Sequence, residues 1–149
     1  MPNTLGYMLT WTTYGTWFQG DKRGYVKKGV TLPGDEALLE TNKESQSEET
    51  LRLTPQHKKV VYDAIINQAD EIGQKVLAIV VYSNHIHLVV DYIPKPISEV
   101  IAYYKKAGRL ALKAFGLYGK IWTAGYDKRY CFDQKTLEQK IKYVRNHPV

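Results

Sequence analysis

Residues 75–92 read KVLAIVVYSNHIHLVVDY, and this stretch decides the fold. Lys75–Tyr82 has the near-continuous apolar, β-branched composition of a buried strand. Ser83-Asn84 supplies a turn and His85–Tyr92 a second strand, so the stretch predicts an antiparallel hairpin. Side chains alternate along a strand, which puts Ile86, Leu88, Val90 and Tyr92 on a core face. His85 and His87 then share the other face, with Cα atoms roughly 6.5–7 Å apart.

Outward from the hairpin, Leu5–Thr13 (LGYMLTWTT) has strand composition and leads into a loop punctuated by Gly15, Gly20 and Gly24. Residues 33–50 are polar and acidic and read as a mobile surface insertion. Thr54-Pro55 predicts a helix start, with Val61, Ala64, Ile65 and Ile72 at helical spacing and Gly73 as the stop. Beyond the hairpin, Pro94 and Pro96 break the chain and Ser98 is expected to cap a helix running to about Phe115. Ile121–Phe132 reads as a strand or hairpin and Gln134–Asn146 as a last helix. Strand, helix, strand, strand, helix, strand, helix is the alternation of an α+β, ferredoxin-like antiparallel sheet with flanking helices. No repeat or linker divides the sequence, which predicts a single domain over residues 1–149.

The 149 residues carry 21 Lys+Arg and 15 Asp+Glu, a formal charge of +6. The excess is one-sided, with a net of −1 over residues 1–75 and +7 over residues 76–149. Any phosphate-facing surface is therefore expected in the second half, although a solvated cationic face has the same signature. Cys131 is the lone cysteine, which excludes a disulfide framework and a cysteine-based metal knot. No run approaches the roughly 20 apolar residues of a membrane span. A soluble, cytoplasmic, basic domain is the expectation.

Two neutral imidazoles converging from a rigid strand can hold one divalent ion, and two surface histidines on a half-exposed strand would look the same in sequence. A third ligand could come from Cys131, Asp91, His57 or His147. Tyr143 lies four residues before His147, so a helix would stack the two on one face. If His147 joins the ion, the Tyr143 phenol stands within reach of a phosphodiester held there, and attack would give a covalent phosphotyrosine. Packing or capping is the ordinary alternative for any of the 12 tyrosines.

The segment NHIHLVV at 84–90 resembles the HUH motif (His, hydrophobic, His) of single-tyrosine transposases. YVRNHPV at 143–149 resembles their tyrosine helix. TTYGTWFQGDKRG at 12–24 and LTPQHKKVV at 53–61 are similar to the IS200-like branch that includes the REP-associated tyrosine transposases. The resemblance implies an HUH-type fold and a metal-dependent single-strand DNA endonuclease and strand transferase acting on DNA hairpins. By position, His85 and His87 would be metal ligands for Mg²⁺ or Mn²⁺, and Tyr143 the nucleophile forming a 5′-phosphotyrosine. The third ligand of the family, usually an amide side chain, falls on His147, with Asn146 as the alternative because Pro148 disfavours helix at His147. Tyr103, Tyr104, Lys105, Lys106 and Arg109 form a basic aromatic helix expected to bind DNA, since cations track the backbone and rings stack on bases, with an ordinary amphipathic helix bearing a solvated lysine face as the alternative. Relatives act as homodimers that exchange tyrosine helices or as monomers. A non-catalytic module that holds hairpins without cutting, and a replication-initiator or relaxase-type nickase, are the alternative functions.

Overall fold

The computed structural model describes residues 3–16 and 50–146. The elements are β1 (Gly6–Thr12), α1 (Pro55–Ile72), β2 (Val76–Val81), β3 (His85–Asp91), α2 (Ile97–Ala114), β4 (Asp127–Cys131) and α3 (Gln134–Asn146). The four strands form one sheet in the order β2-β3-β1-β4, and every pairing is antiparallel. This is the α+β, ferredoxin-like arrangement read from the sequence. Most of the expected acidic insertion, the glycine loop beyond Gly15, and His147 lie outside the described residues.

Alternation along β3 divides the molecule into two layers of core. Ile86, Leu88 and Val90 pack with Tyr7, Leu9 and Trp11 of β1 beneath α1 and α2, whose contributions include Val61, Ile65, Val100, Ile101 and Leu112. The opposite face holds a smaller cluster, in which Met8, Val89 and Cys131 meet Leu137 and Val144 of α3. Full burial of each such aliphatic side chain is worth about 1.5–3 kcal/mol. The larger cluster therefore carries most of the stability, and α3 is held by the lesser share.

The caps of α1 follow the sequence closely. Thr54 Oγ1 accepts from the His57 backbone N–H at 3.1 Å, and His57 Nδ1 accepts in return from the Thr54 N–H at 3.2 Å. His57 thus closes a capping box, the task usually given to Glu or Gln. Gly73 ends the helix at φ 72°, a left-handed backbone that glycine adopts without a Cβ penalty.

Four expectations are corrected. Ser98 does not cap α2; Pro96 occupies that position without a side-chain bond, and Ser98 lies inside the helix. Tyr92 follows the end of β3 and is exposed rather than part of the core. Only Asp127–Cys131 of the expected strand or hairpin at 121–132 is strand; Trp122 makes an isolated bridge to Thr13, and the turn at Gly125 separates the two. Tyr104, expected to face DNA, is fully buried in the core under α2.

A polar knot lies within the larger core. Tyr104 Oη donates to Gln74 Oε1 at 2.6 Å, while Gln74 Nε2 donates to Tyr7 Oη at 2.9 Å and to the Asp91 carbonyl at 2.7 Å. Burial raises both phenols above the ordinary tyrosine value. One amide thereby ties α2, β1 and the end of β3 to the turn after α1.

Candidate active site

His85 and His87 point to the α3 side of the sheet, because their neighbours Ile86 and Leu88 face α1 and α2. β1 runs beside them, pairing Thr12 with His85 and Thr10 with His87. The two imidazole centres are 4.9 Å apart and their planes cross at 80°. His87 is buried, and its Nδ1 lies 2.8 Å from Thr10 Oγ1. His85 Nδ1 lies 2.7 Å from Asn84 Oδ1.

Those contacts orient the rings. An amide oxygen only accepts, so His85 carries its proton on Nδ1 and presents Nε2 as the acceptor nitrogen. The Thr10 hydroxyl can accept from His87 Nδ1 and impose the same tautomer. Partners of this kind hold the other ring nitrogen of metal-binding histidines. The spacing agrees with this: an ion about 2.1 Å from two Nε2 atoms would place the ring centres roughly 4.5–5 Å apart. The pair therefore fits a divalent ion. Among the described residues no group of three His, Cys, Asp or Glu side chains could hold one.

Of the third ligands open in the sequence, three are engaged elsewhere. His57 caps α1, Asp91 Oδ1 accepts from the Lys75 N–H at 2.8 Å, and Cys131 is a core residue whose thiol burial pushes up. His147 lies outside the described residues, and Asn146 is the exposed last residue of α3.

Tyr143 comes to the same place from α3. Asp133 starts that helix, accepting from the Thr136 N–H at 2.7 Å, and Leu137 and Val144 seat it on the sheet. Near its other end Arg145 donates to the Leu77 carbonyl at 3.1 Å. The Tyr143 ring, half exposed, stands 5.8 Å from the His87 ring, edge to face. Tyr82 completes the cluster: its ring stacks on His85 at 4.2 Å and meets His87 edge-on at 5.9 Å. Burial raises the Tyr82 phenol, and the neighbouring Tyr143 hydroxyl adds to the rise.

Sequence reasoning missed Thr10, Asn84 and Tyr82. Asn84 and Tyr82 flank the histidines in the hairpin, but Thr10 enters only through the β1–β3 register.

The basic aromatic helix is not part of this cluster. α2 packs on the other face of the sheet. Lys105 Nζ donates to the Thr123 and Gly125 carbonyls at 3.0 and 2.8 Å, which fixes the loop before β4. Tyr103 Oη donates to Glu99 at 3.0 Å. Lys106 and Arg109 are exposed.

Two solved structures share the fold. One, from Deinococcus radiodurans R1 and assigned as a transposase, matches with a TM-score of 0.51 at 17% identity over 97% of this chain and 91% of its own. The other, a REP-associated tyrosine transposase bound to a REP hairpin, matches with a TM-score of 0.55 at 14% identity over 97% of this chain and 67% of its own. No curated protein matches the chain. The model of the family described as "Transposase IS200 like" matches residues 46–147, well over half of the sequence and all of the histidine hairpin. The chain belongs to the IS200-like transposase family, and its function is of the transposase type.

Proposed function

We propose that the protein is a metal-dependent single-strand DNA endonuclease and strand transferase that acts on DNA hairpins through a covalent 5′-phosphotyrosine on Tyr143. The observation that carries the reading is the meeting of Tyr143 with the paired imidazoles of His85 and His87, 5.8 Å from the nearer ring. Core packing alone does not call for a half-exposed phenol over two histidines whose Nδ1 atoms are already engaged.

In this reading His85 and His87 hold Mg²⁺ or Mn²⁺ with His147, or Asn146 in its place. The bound ion supplies Lewis-acid neutralisation of phosphate charge. Tyr143 Oη gives up its proton and forms a bond to phosphorus, and the bond from phosphorus to the 3′ oxygen breaks. The departing 3′ oxygen takes up a proton, leaving a 3′-hydroxyl strand and a 5′-phosphotyrosine. Attack by a different 3′-hydroxyl reverses these bonds and joins new ends. Thr10 and Asn84 hold the imidazoles in the required tautomer, and Tyr82 holds the plane of His85. The hairpin partner is inferred from the DNA-bound neighbour and from the basic second half of the chain.

The test is incubation with single-stranded hairpin DNA and Mn²⁺, followed by a denaturing gel. A covalent protein–DNA adduct is expected from wild type, with none from Tyr143→Phe and a sharp reduction in His87→Ala. A wild-type protein that binds hairpins yet never forms an adduct would instead be a non-catalytic binding module.

A further inference from the structure

The sheet face that carries α1 and α2 has a corner with exposed aromatic rings. Gly6 stands opposite both Asp91 and Cys131, and Leu5, Tyr92 and Phe132 are the residues just beyond these three strand ends. Backbone bonds hold the strand ends here: Tyr92 N–H donates to Leu5 O at 3.0 Å, and Leu5 N–H donates to the carbonyl of Cys131, the residue before Phe132, at 2.8 Å. Tyr130 lies in the adjoining row on the same face, opposite Tyr7. Tyr92, Phe132, Tyr130 and Leu5 are 51%, 49%, 43% and 38% exposed. Exposed apolar side chains grouped at one corner mark a binding surface more often than single exposed rings do.

The rings are arranged rather than scattered. Tyr130 and Phe132 stack with centroids 5.9 Å apart and planes within 17°. Tyr7 braces Tyr130 edge-on at 6.4 Å. Lys128 Nζ stands 5.7 Å above the Tyr130 ring, at the far end of the same strand face. Arg129 points to the opposite face, the one that carries His87, because it pairs with Met8 two positions from Thr10. Lys128 is thus the cation of β4 on the ring face, while Arg129 Nε pairs with the Asp127 carboxylate at 3.0 Å on the other.

We propose that this corner is a stacking platform for unpaired bases of single-stranded DNA, distinct from the histidine–tyrosine cluster and resting on the DNA reading given above. Two near-parallel rings along a strand match consecutive bases, whose faces stack on aromatics whatever their sequence. Lys128 supplies a phosphate contact, and the platform lies within the half of the chain whose net charge is +7. On the opposite face His87 lies two strands across and three residues along from Tyr130, roughly 14 Å in the plane of the sheet, so a strand on the platform would pass the β4 edge to reach it. In α2, the helix whose sequence pattern suggests DNA contact, Tyr104 is buried and Lys105 holds a loop.

The test is fluorescence anisotropy with two labelled hairpins, one blunt and one with a single-stranded oligothymidine tail. Tyr130→Ala/Phe132→Ala should weaken the tailed hairpin by roughly 5- to 150-fold per lost stack and leave the blunt one unchanged. Phe132→Ala alone, which leaves the Tyr7 brace intact, should show the single-ring part of that loss. A tail bearing 5-bromouracil should photocross-link to Tyr130 or Phe132. Equal tail affinity in wild type and both variants, with covalent adduct still formed, would overturn the platform and leave the cleavage reading standing. A wild type that binds neither hairpin would overturn both. A double variant that changes the oligomeric state by light scattering without losing tail affinity would make the corner a self-association surface and overturn the proposal.

Discussion

Thr10→Val removes one hydroxyl from a buried strand position and leaves the side-chain shape nearly unchanged. In wild type that hydroxyl stands 2.8 Å from His87 Nδ1, and both residues are buried. The variant leaves a polar ring nitrogen buried without its partner, a loss of about 1–3 kcal/mol. The ring then loses the contact that sets the proton on Nδ1. Loss of such an outer partner costs metal sites about 10- to 100-fold in affinity, or roughly 1.4–2.7 kcal/mol, so the two scales agree. Mn²⁺ binding followed by electron paramagnetic resonance of the free ion is therefore expected to weaken by about that factor in Thr10→Val. Thr10→Ser, which keeps the hydroxyl, should remain near wild type. Unchanged Mn²⁺ affinity in a folded Thr10→Val protein would refute the positioning role of Thr10.

Three further outcomes follow from packing and charge. Gln74→Leu strands the Tyr104 hydroxyl and the Asp91 carbonyl, so unfolding in urea should show a loss of about 2–5 kcal/mol, part of which Tyr104→Phe in the same chain should restore. Gly6→Ala would bring a Cβ to 2.5 Å from the Val90 carbonyl oxygen at the start of the central strand β1, and a loss of about 1–3 kcal/mol is expected, visible as a thermal midpoint lowered by several degrees. Burial raises Tyr7 and Tyr104 above the ordinary tyrosine value of about 10, so above it the unfolded chain releases protons that the folded chain keeps. Their contribution to stability is whole below about pH 10 and falls as pH rises beyond it, by up to about 1.4 kcal/mol per pH unit for each tyrosine. Urea midpoints that stay level between pH 9 and pH 11 would contradict this burial effect.

The hairpin and the histidine face were legible because a strand has a period of two and the turn residues mark its register. The caps of α1 were legible for a similar reason, since Thr-Pro and Gly act through their own backbone geometry. α2 was harder. Tyr103 and Tyr104 are adjacent in sequence but about 100° apart around a helix, so Tyr104 enters the core while Tyr103 stays at the edge of the buried stripe. The buried stripe Val100, Ile101, Tyr104, Gly108 and Leu112 does have helical spacing, but the cluster of lysines beside it suggested an exposed surface. Lys105 shows why a positive residue is not by itself a phosphate contact: its ammonium serves two backbone carbonyls from a distant loop. The role of Thr10 depends on which β1 residue lies opposite His87, and that is set by pairing between segments some 77 residues apart. The exposed corner at Tyr92, Leu5 and Phe132 was hidden likewise, since Tyr92 was counted into the core by alternation carried one residue beyond the strand's end.

The Gln74 knot bears on how this sequence can drift. Its amide must donate twice and accept once in fixed directions. Asparagine is a methylene shorter, and a glutamate oxygen in place of Nε2 would confront the Asp91 carbonyl. Few substitutions at position 74 satisfy three neighbours at once, so it should change only together with Tyr7 and Tyr104. A position so constrained would stand out among relatives as if it were catalytic, although it belongs to the core beneath α1 and α2, on the other side of the sheet from the histidine pair.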